Sequence, residues 1–496
     1  MNTQNIQLEN IKYVYFIGIG GIGMSALARW FVHNEKIVEG YDKTQTTLTQ
    51  NLENEGIKIH FEDNVDQIPK KIKEFPNKTL VVITPAIPVS HSELLFFQQN
   101  NYTIMKRAAV LGLLTHSLKT IAVAGTHGKT TTSIMVAHLL KESGVNCAAF
   151  LGGISANFNS NVLINDINNS DEVWVVVEAD EFDRSFLHIL PDIAVVTSTD
   201  ADHLDIYGKK EELEKSFGHF VSQINDNGTL LAQKNIADSV KNSISNIDKN
   251  IELINYKASN DYQKDGKQAQ IYATNIKLDE HQKNSCRFDF VNMTSQNSTQ
   301  INDLQLFMPG FHNVENMCAA IAIAQKFNIS YENIKDAVAS FKGVKRRFEY
   351  IFQSEKIIYI DDYAHHPTEI SALFSSVKHL YPNKKITAIF QPHLFSRTKD
   401  FQKEFAESLS LENEGDELIL LNIYPARELP IEGITSNIIL EQSKTRNKKL
   451  VTDNQLLTYI ENKINKNEIE ILLTIGAGNI DRFVKPISVF LQSKFV

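Results

Sequence analysis

The sequence predicts an α/β protein of three domains, and three observations predict it. A chain of 496 residues is longer than a single hydrophobic core usually serves. Short apolar runs alternate with stretches of helical spacing, the pattern of parallel sheets covered by helices. Two glycine-rich turns, far apart in the chain, each stand between such a run and a helix. Each turn needs its own sheet to aim a helix N-terminus at a phosphate.

The first unit opens with the apolar run Tyr13 to Ile17, then glycines, then helical spacing from Met24 to Val32. Ile37 to Tyr41 reads as a second strand ending at Asp42, and Leu80 to Thr84 as another, stopped by Pro85. A second unit starts near Lys119. Ile121 to Ala124 is a buried-type strand, followed by a Gly-rich turn and a helix over Thr131 to Ser143, with Gly144 just past its end. Val173 to Val177 and Ile193 to Thr197 read as central strands. The polar stretch 225–302 reads as exposed hairpins. The third unit starts after Phe341, with strands at Ile357 to Ile360, Ile386 to Phe390, Leu418 to Leu421 and Ile471 to Ile475. The domains so drawn are 1–118, 119–341 and 342–496, with Gly343 at the second junction.

Composition narrows the class. Hydrophobic residues at 42% and charged residues at 22% are ordinary for a globular protein. A net charge of −9 argues against binding nucleic acid, which wants a basic face. The three cysteines, Cys147, Cys286 and Cys318, are too dispersed for a zinc motif or a disulfide framework. No apolar run is long enough for a signal peptide or a membrane span, so a cytoplasmic protein is expected.

The strongest chemical signal is the turn Gly125, Thr126, His127, Gly128, Lys129, Thr130 between a strand and a helix. Such a turn points backbone N–H groups at phosphate oxygens. Lys129 can reach the outer phosphates and the Thr130 hydroxyl can ligate magnesium. Val123 stands where the ordinary phosphate loop begins with glycine, so this loop is a shorter variant. Magnesium needs further oxygen ligands. Glu178 ends a predicted buried strand, at the edge where parallel sheets bind ligands. Asp180, Glu181 and Asp183 read as a solvated acidic loop. His203 follows the next strand and is placed as a ligand to a second metal.

The other turn, Gly18, Gly20 and Gly23 with Asp42 at the end of the next strand, is the dinucleotide-fold fingerprint, with an extra glycine at Gly21. It seats a diphosphate, from either a redox cofactor or a nucleotide-linked substrate. Further on, Asn313 opens an apolar helix, as its cap or as a contact to a base. Arg346 and Arg347 stand at a domain junction, where one can swing onto phosphate. Tyr363, His365, His393 and Arg397 follow two strands and mark a pocket rim.

Taken in order, GIGGIGM, TPAI, GTHGKTT, EADE, DHLD, PGFHNVEN, RRFE, DDYAHHPTE, QPH with SRT, and GAGNI resemble the Mur ligase family over nearly the whole chain. The likeness is greatest to the branch that adds L-alanine to UDP-N-acetylmuramate. The resemblance implies a Rossmann-like UDP-binding domain, a central P-loop ATPase-type α/β domain and a C-terminal Rossmann-like domain. It implies ATP-driven phosphorylation of a carboxylate, attack by an amine, two magnesium ions, a cytoplasmic setting, and a monomer or weak homodimer. By position it implies Gly20, Gly21, Gly23, Asp42 and Arg107 around UDP. It places Gly125, Thr126, His127, Gly128, Lys129, Thr130, Thr131, Asn313, Arg347 and Asp362 around ATP. Thr130, Glu178 and His203 fall on the metals, with Lys129, His203 and Arg347 catalytic. Tyr363, His365, His393 and Arg397 fall at the amino-acid site. Two positions depart from relatives. Leu394 stands where many members of the alanine-adding branch have arginine. Phe217 stands where several sister ligases carry a carbamylated lysine, with Lys215 two residues away.

Three rivals remain at this stage. A sister ligase that attaches a recycled tripeptide would need a wider amino-acid pocket. A nicotinamide dehydrogenase would use only the first turn. A non-catalytic nucleotide-binding regulator would not need a complete metal set.

Overall fold

A computed structural model describes residues 8–495 apart from 85–86, 117, 165–171, 201–206, 208, 261–268, 280–284, 295–297, 412 and 427. The chain forms two compact units, Met1–Lys342 and Gly343–Val496. Among the described residues the first unit holds two sheets and the second unit one.

The first sheet has β1 (Tyr13–Ile17), β2 (Ile37–Tyr41), β3 (Lys58–His60), β4 (Thr79–Ile83) and β5 (Thr103–Lys106), in the order β3-β2-β1-β4-β5. All its pairings are parallel. Every residue of β1 is buried, which is why it reads as a continuous apolar run rather than an alternating one. The strand order reverses between β1 and β4, so a crevice opens beyond their C-terminal ends. Helix α1 (Ile22–His33) starts there and buries Met24, Ala26, Leu27, Ala28, Trp30 and Phe31. Helix α2 (Thr47–Asn54) begins with a capping box between Thr46 and Thr49, and α3 (Arg107–His116) follows β5.

The second sheet has ten strands among the described residues. They are β6 (Lys119–Ala124), β7 (Cys147–Ser155), β8 (Ser160–Leu163), β9 (Trp174–Glu178), β10 (Ile193–Val196), β11 (Thr229–Gln233), β12 (Glu252–Ala258), β13 (Ile271–Leu278), β14 (Cys286–Asn292) and β15 (Thr299–Leu306). Their order is β15-β14-β13-β12-β11-β10-β6-β9-β7-β8. The stretch 225–302 therefore corrects the expectation of exposed hairpins. Strands β11 and β12 continue the parallel sheet, and β11 is buried along its whole length. Only β13, β14 and β15 form antiparallel pairs in that stretch. Helix α4 (Lys129–Glu142) follows β6, and Gly144 ends it in the left-handed region, as its position past the helix predicts. Helix α5 (Phe311–Lys326) is almost wholly buried and packs on α4. One apolar core runs from Val14 and Phe16 of the first sheet and Leu27 of α1 to Phe150, Val175 and Val177 of the second sheet.

In the second unit β16 (Glu349–Gln353), β17 (Ile358–Asp362), β18 (Ile386–Phe390), β19 (Glu417–Leu420), β20 (Asn447–Leu450) and β21 (Ile471–Ile475) run in the order β16-β17-β21-β18-β19-β20. Only β16 is antiparallel. Helix α6 (Pro367–Leu380) follows β17 and the short helix α7 (Phe395–Asp400) follows β18. No helix among the described residues is long and apolar enough to cross a membrane.

Candidate active site

Adjacent strands β6 and β9 bring the phosphate turn and Glu178 together. Gly125 and Gly128 have φ of 135° and 81°, a left-handed backbone that a side chain would strain. Gly128 also leaves no room for one: a Cβ there would lie 2.9 Å from the Asn316 amide oxygen. The turn is tied to the chain beyond β10, where Ser198 Oγ accepts from the His127 N–H at 2.8 Å and lies 2.8 Å from the Thr126 hydroxyl. The Lys129 ammonium donates to Gly125 O at 2.8 Å and to Glu181 Oε1 at 2.9 Å. Burial disfavours that ammonium, but Glu181, Asp180 and Glu178 outweigh it and hold its pKa above the ordinary lysine value. Lys129 is therefore a fixed positive charge at neutral pH.

The Thr130 hydroxyl donates to Glu178 Oε1 at 3.0 Å, and the Gly152 N–H donates to Glu178 Oε2 at 3.0 Å. Burial pushes the Glu178 carboxyl up, opposed by Lys129 and Thr130. Two hard oxygen donors thus meet at one point beside the phosphate turn, the donor set that magnesium takes. Glu181 corrects the sequence reading. It is fully buried rather than solvated, and it forms the ion pair with Lys129. Asp180 is partly exposed and accepts from the Phe182 N–H at 3.1 Å. His203 and the Asp183 side chain lie outside the described residues. Asn313 does not cap α5, whose N-cap is Gly310. Its side chain donates to Pro309 O at 2.7 Å.

At the other turn the candidates also converge. The Gly20 N–H donates to Asp42 Oδ2 at 2.8 Å, and Gly21 precedes the first turn of α1. A Cβ on Gly23 would lie 2.8 Å from Arg107 Nη1, so the guanidinium lies along the helix start. Gly20 and Asp42, and Gly23 and Arg107, are thus brought together around the start of α1.

The second unit separates its two arginines. Arg346 is anchored: its Nε donates to the buried Asp361 Oδ2 at 3.0 Å. Arg347 lies 3.7 Å from Glu369 Oε1, a looser contact, with its guanidinium 5.5 Å from the Tyr363 ring centre. Asp362 accepts from the N–H groups of Phe348 and Ala364, and burial pushes it up to about 6 against the pull of Arg347. His365 and His393 face each other with ring centres 6.2 Å apart. Burial, then Arg397 and His365, push His393 down to about 4, so its imidazole is neutral at neutral pH. His393 Nδ1 and Arg397 Nη1 are buried without a hydrogen-bond partner among the described residues. Glu369 is held at about 2. Burial raises it, but His365, Arg347 and two backbone N–H groups outweigh that.

Models of the Mur ligase family match in three consecutive blocks: its "catalytic domain" over residues 13–118, the "middle domain" over 123–324 and the "glutamate ligase domain" over 346–478. A UDP-N-acetylmuramate–L-alanine ligase of Cytophaga hutchinsonii is 46% identical over 494 residues, 99% of each chain. The chain belongs to the Mur ligase family. The ligase of the same name from Flavobacterium psychrophilum is 47% identical, over 99% of this chain and all of that one. The crystal structure of UDP-N-acetylmuramate–alanine ligase from Thermotoga maritima is 26% identical and superposes with a TM-score of 0.76, covering 97% of this chain and 99% of that one.

In this Mur ligase Phe217 is a core residue, fully buried against Phe186, whereas Lys215 is exposed and pairs with Glu212. Leu394 has φ of 73° and stands at the N-cap of α7, where it brings no charge. Several residues of the site were not singled out by sequence reasoning. Gly152 lies under Glu178, Asn316 against Gly128, and Glu369 beneath His365 and Arg347. Glu428 accepts from the N–H and hydroxyl of Ser396 beside His393. Gly152 and Asn316 carry no local signal, since their constraint comes from neighbours distant in the chain.

Proposed function

We propose that this Mur ligase joins L-alanine to the carboxylate of UDP-N-acetylmuramate, converting ATP to ADP and phosphate. The observation that carries the reading is the meeting of Lys129, Thr130 and Glu178 at one phosphate turn, in the same compact unit as a second diphosphate cradle. A nicotinamide dehydrogenase has no use for the first of these. The 46–47% identical relatives carry the L-alanine name over the whole chain, which favours alanine over a recycled tripeptide.

The geometry of the described residues and the family resemblance together support the following roles. The domains are assigned as 1–118 for the sugar nucleotide, 119–341 for ATP and 342–496 for the amino acid. Gly20, Gly21, Gly23, Asp42 and Arg107 seat the UDP moiety. Gly125 to Thr131 wrap the ATP phosphates, with Asn313, Arg347 and Asp362 around the rest of the nucleotide. Thr130 and Glu178 would hold one magnesium ion and His203 a second. Bound magnesium neutralises charge on the γ-phosphate and withdraws electrons from phosphorus. A carboxylate oxygen of the sugar attacks that phosphorus, ADP leaves, and an acyl phosphate forms. Lys129 adds a fixed positive charge where negative charge develops. Tyr363, His365, His393 and Arg397 receive the amino acid, the cation of Arg397 meeting its carboxylate. The free amine attacks the acyl carbon, and the tetrahedral intermediate expels phosphate. The protein works in the cytoplasm, as a monomer or weak homodimer.

The experiment is phosphate release from ATP in the presence of UDP-N-acetylmuramate, screened across amino acids and the recycled tripeptide. Release should require the sugar nucleotide and be fastest with L-alanine. A preference for tripeptide would favour the sister ligase instead. A companion titration separates the dehydrogenase reading. The full chain should bind UDP-N-acetylmuramate and leave NAD unbound at the same concentrations, and tight NAD binding without a response to the sugar nucleotide would reverse the assignment.

A further inference from the structure

The antiparallel hairpin of β7 and β8 touches both halves of this site. On β7 the Gly152 N–H holds Glu178 Oε2 at 3.0 Å. A Cβ there would lie 2.2 Å from that oxygen, so only glycine fits under the carboxylate. On β8 the fully buried Asn161 reaches α1. Its Nδ2 donates to Ile22 O at 2.5 Å and to Ser25 Oγ at 3.0 Å, and its Oδ1 accepts from Arg29 Nη1 at 2.6 Å. Ile22 is the first residue of α1, directly after Gly20 and Gly21. Arg29 in turn pairs with both carboxylate oxygens of Glu55, just past α2. Trp30 of α1 packs on Phe150 of β7 with ring centres 5.4 Å apart.

The chemistry makes this junction consequential. The sugar nucleotide is placed by the start of α1, and ATP by the phosphate turn beside Glu178. The sugar carboxylate and the γ-phosphorus must approach to roughly 3–3.5 Å for reaction. The spacing of the two cradles therefore sets the reacting geometry. We propose that Asn161 is a positioning residue: it and Gly152 make the hairpin a spacer that holds the sugar-nucleotide cradle in register with the metal carboxylate. The inference rests on the functional reading above. If Asn161 served only to fasten two packed layers, replacing it would lower stability and leave the kinetic constants of the folded enzyme alone.

The test is Asn161→Asp in the full chain. The aspartate has the same shape and keeps the acceptor for Arg29. It replaces the amide donor by an oxygen facing the Ile22 carbonyl, so the fold keeps an ion pair while the interaction with α1 turns repulsive. Asn161→Ser, which retains a short donor, is measured beside it and carries the same test if the aspartate variant does not fold. The Asp variant should raise the KM for UDP-N-acetylmuramate and lower kcat, each by about tenfold, the scale of removing one buried hydrogen bond. The Ser variant should recover part of both, and the KM for L-alanine should not move. Unchanged kinetics, with or without a lower melting temperature, would overturn the proposal, as would an equal loss of affinity for all three substrates. A wild-type chain that releases no phosphate with the sugar nucleotide and L-alanine would overturn the functional reading along with it.

Discussion

Replacing Lys129 by alanine is expected to lower kcat by about a thousandfold, the scale of losing a preorganised charge at a transferring phosphoryl group. The structure adds a second consequence. Lys129 compensates Glu181, whose carboxylate is fully buried, and removing one partner of a buried pair costs about 3–5 kcal/mol. The single variant should therefore melt well below the wild type. Lys129→Ala combined with Glu181→Gln should recover much of that stability, because the uncompensated charge is gone, yet remain inactive. Phosphate release and thermal melts on the three proteins separate the two effects. A double variant as active as wild type would remove Lys129 from the mechanism.

Glu178→Gln is expected to raise the magnesium needed for half-maximal rate and to lower kcat by about a hundredfold. An amide offers one oxygen and no charge where the carboxylate offered two oxygens and a charge. With its oxygen kept on the Gly152 N–H, the glutamine amide nitrogen faces Thr130 Oγ1, where the hydroxyl must turn from donor to acceptor, so no second side-chain oxygen remains at that point. Gly152→Ala should produce a comparable loss while leaving the carboxylate chemically intact, because the methyl group would force it aside. Magnesium titrations on both variants check this. Unchanged magnesium dependence in both would place the metal elsewhere.

Parts of this architecture were legible because their causes are local. Strands β1, β2, β18 and β21 are parallel and apolar along most of their length, and each coincides with the run read from sequence. The helix after the phosphate turn and the glycine past its end followed from spacing and capping chemistry. Strands β11 and β12 were not legible. The polar stretch 225–302 read as exposed hairpins, which fits only the antiparallel β13, β14 and β15, whose exposed positions include Asn275, Gln300, Asn302 and Asp303. The residues of the site divide the same way. Lys129 and Thr130 open α4 just beyond β6, and Glu178 ends β9, the strand that pairs with β6. Glu181 looks like its acidic neighbours in one dimension. Its carbonyl accepts from Tyr207 at 2.6 Å and its carboxylate is buried on Lys129, and neither interaction has a sequence signature. Arg346 and Arg347 are adjacent and alike in sequence. Only the position of Asp361 beneath one of them shows which is anchored and which makes the looser contact.

Activation of the carboxylate as an acyl phosphate leaves an isotopic trace when UDP-N-acetylmuramate with a heavy-oxygen label in its carboxylate is turned over with ATP and L-alanine. Phosphate departing from the tetrahedral intermediate carries away one of the two original carboxylate oxygens. One labelled oxygen should appear in inorganic phosphate and the other stay in the new amide. Label found instead in AMP, or retained entirely in the product, would rule out the acyl phosphate.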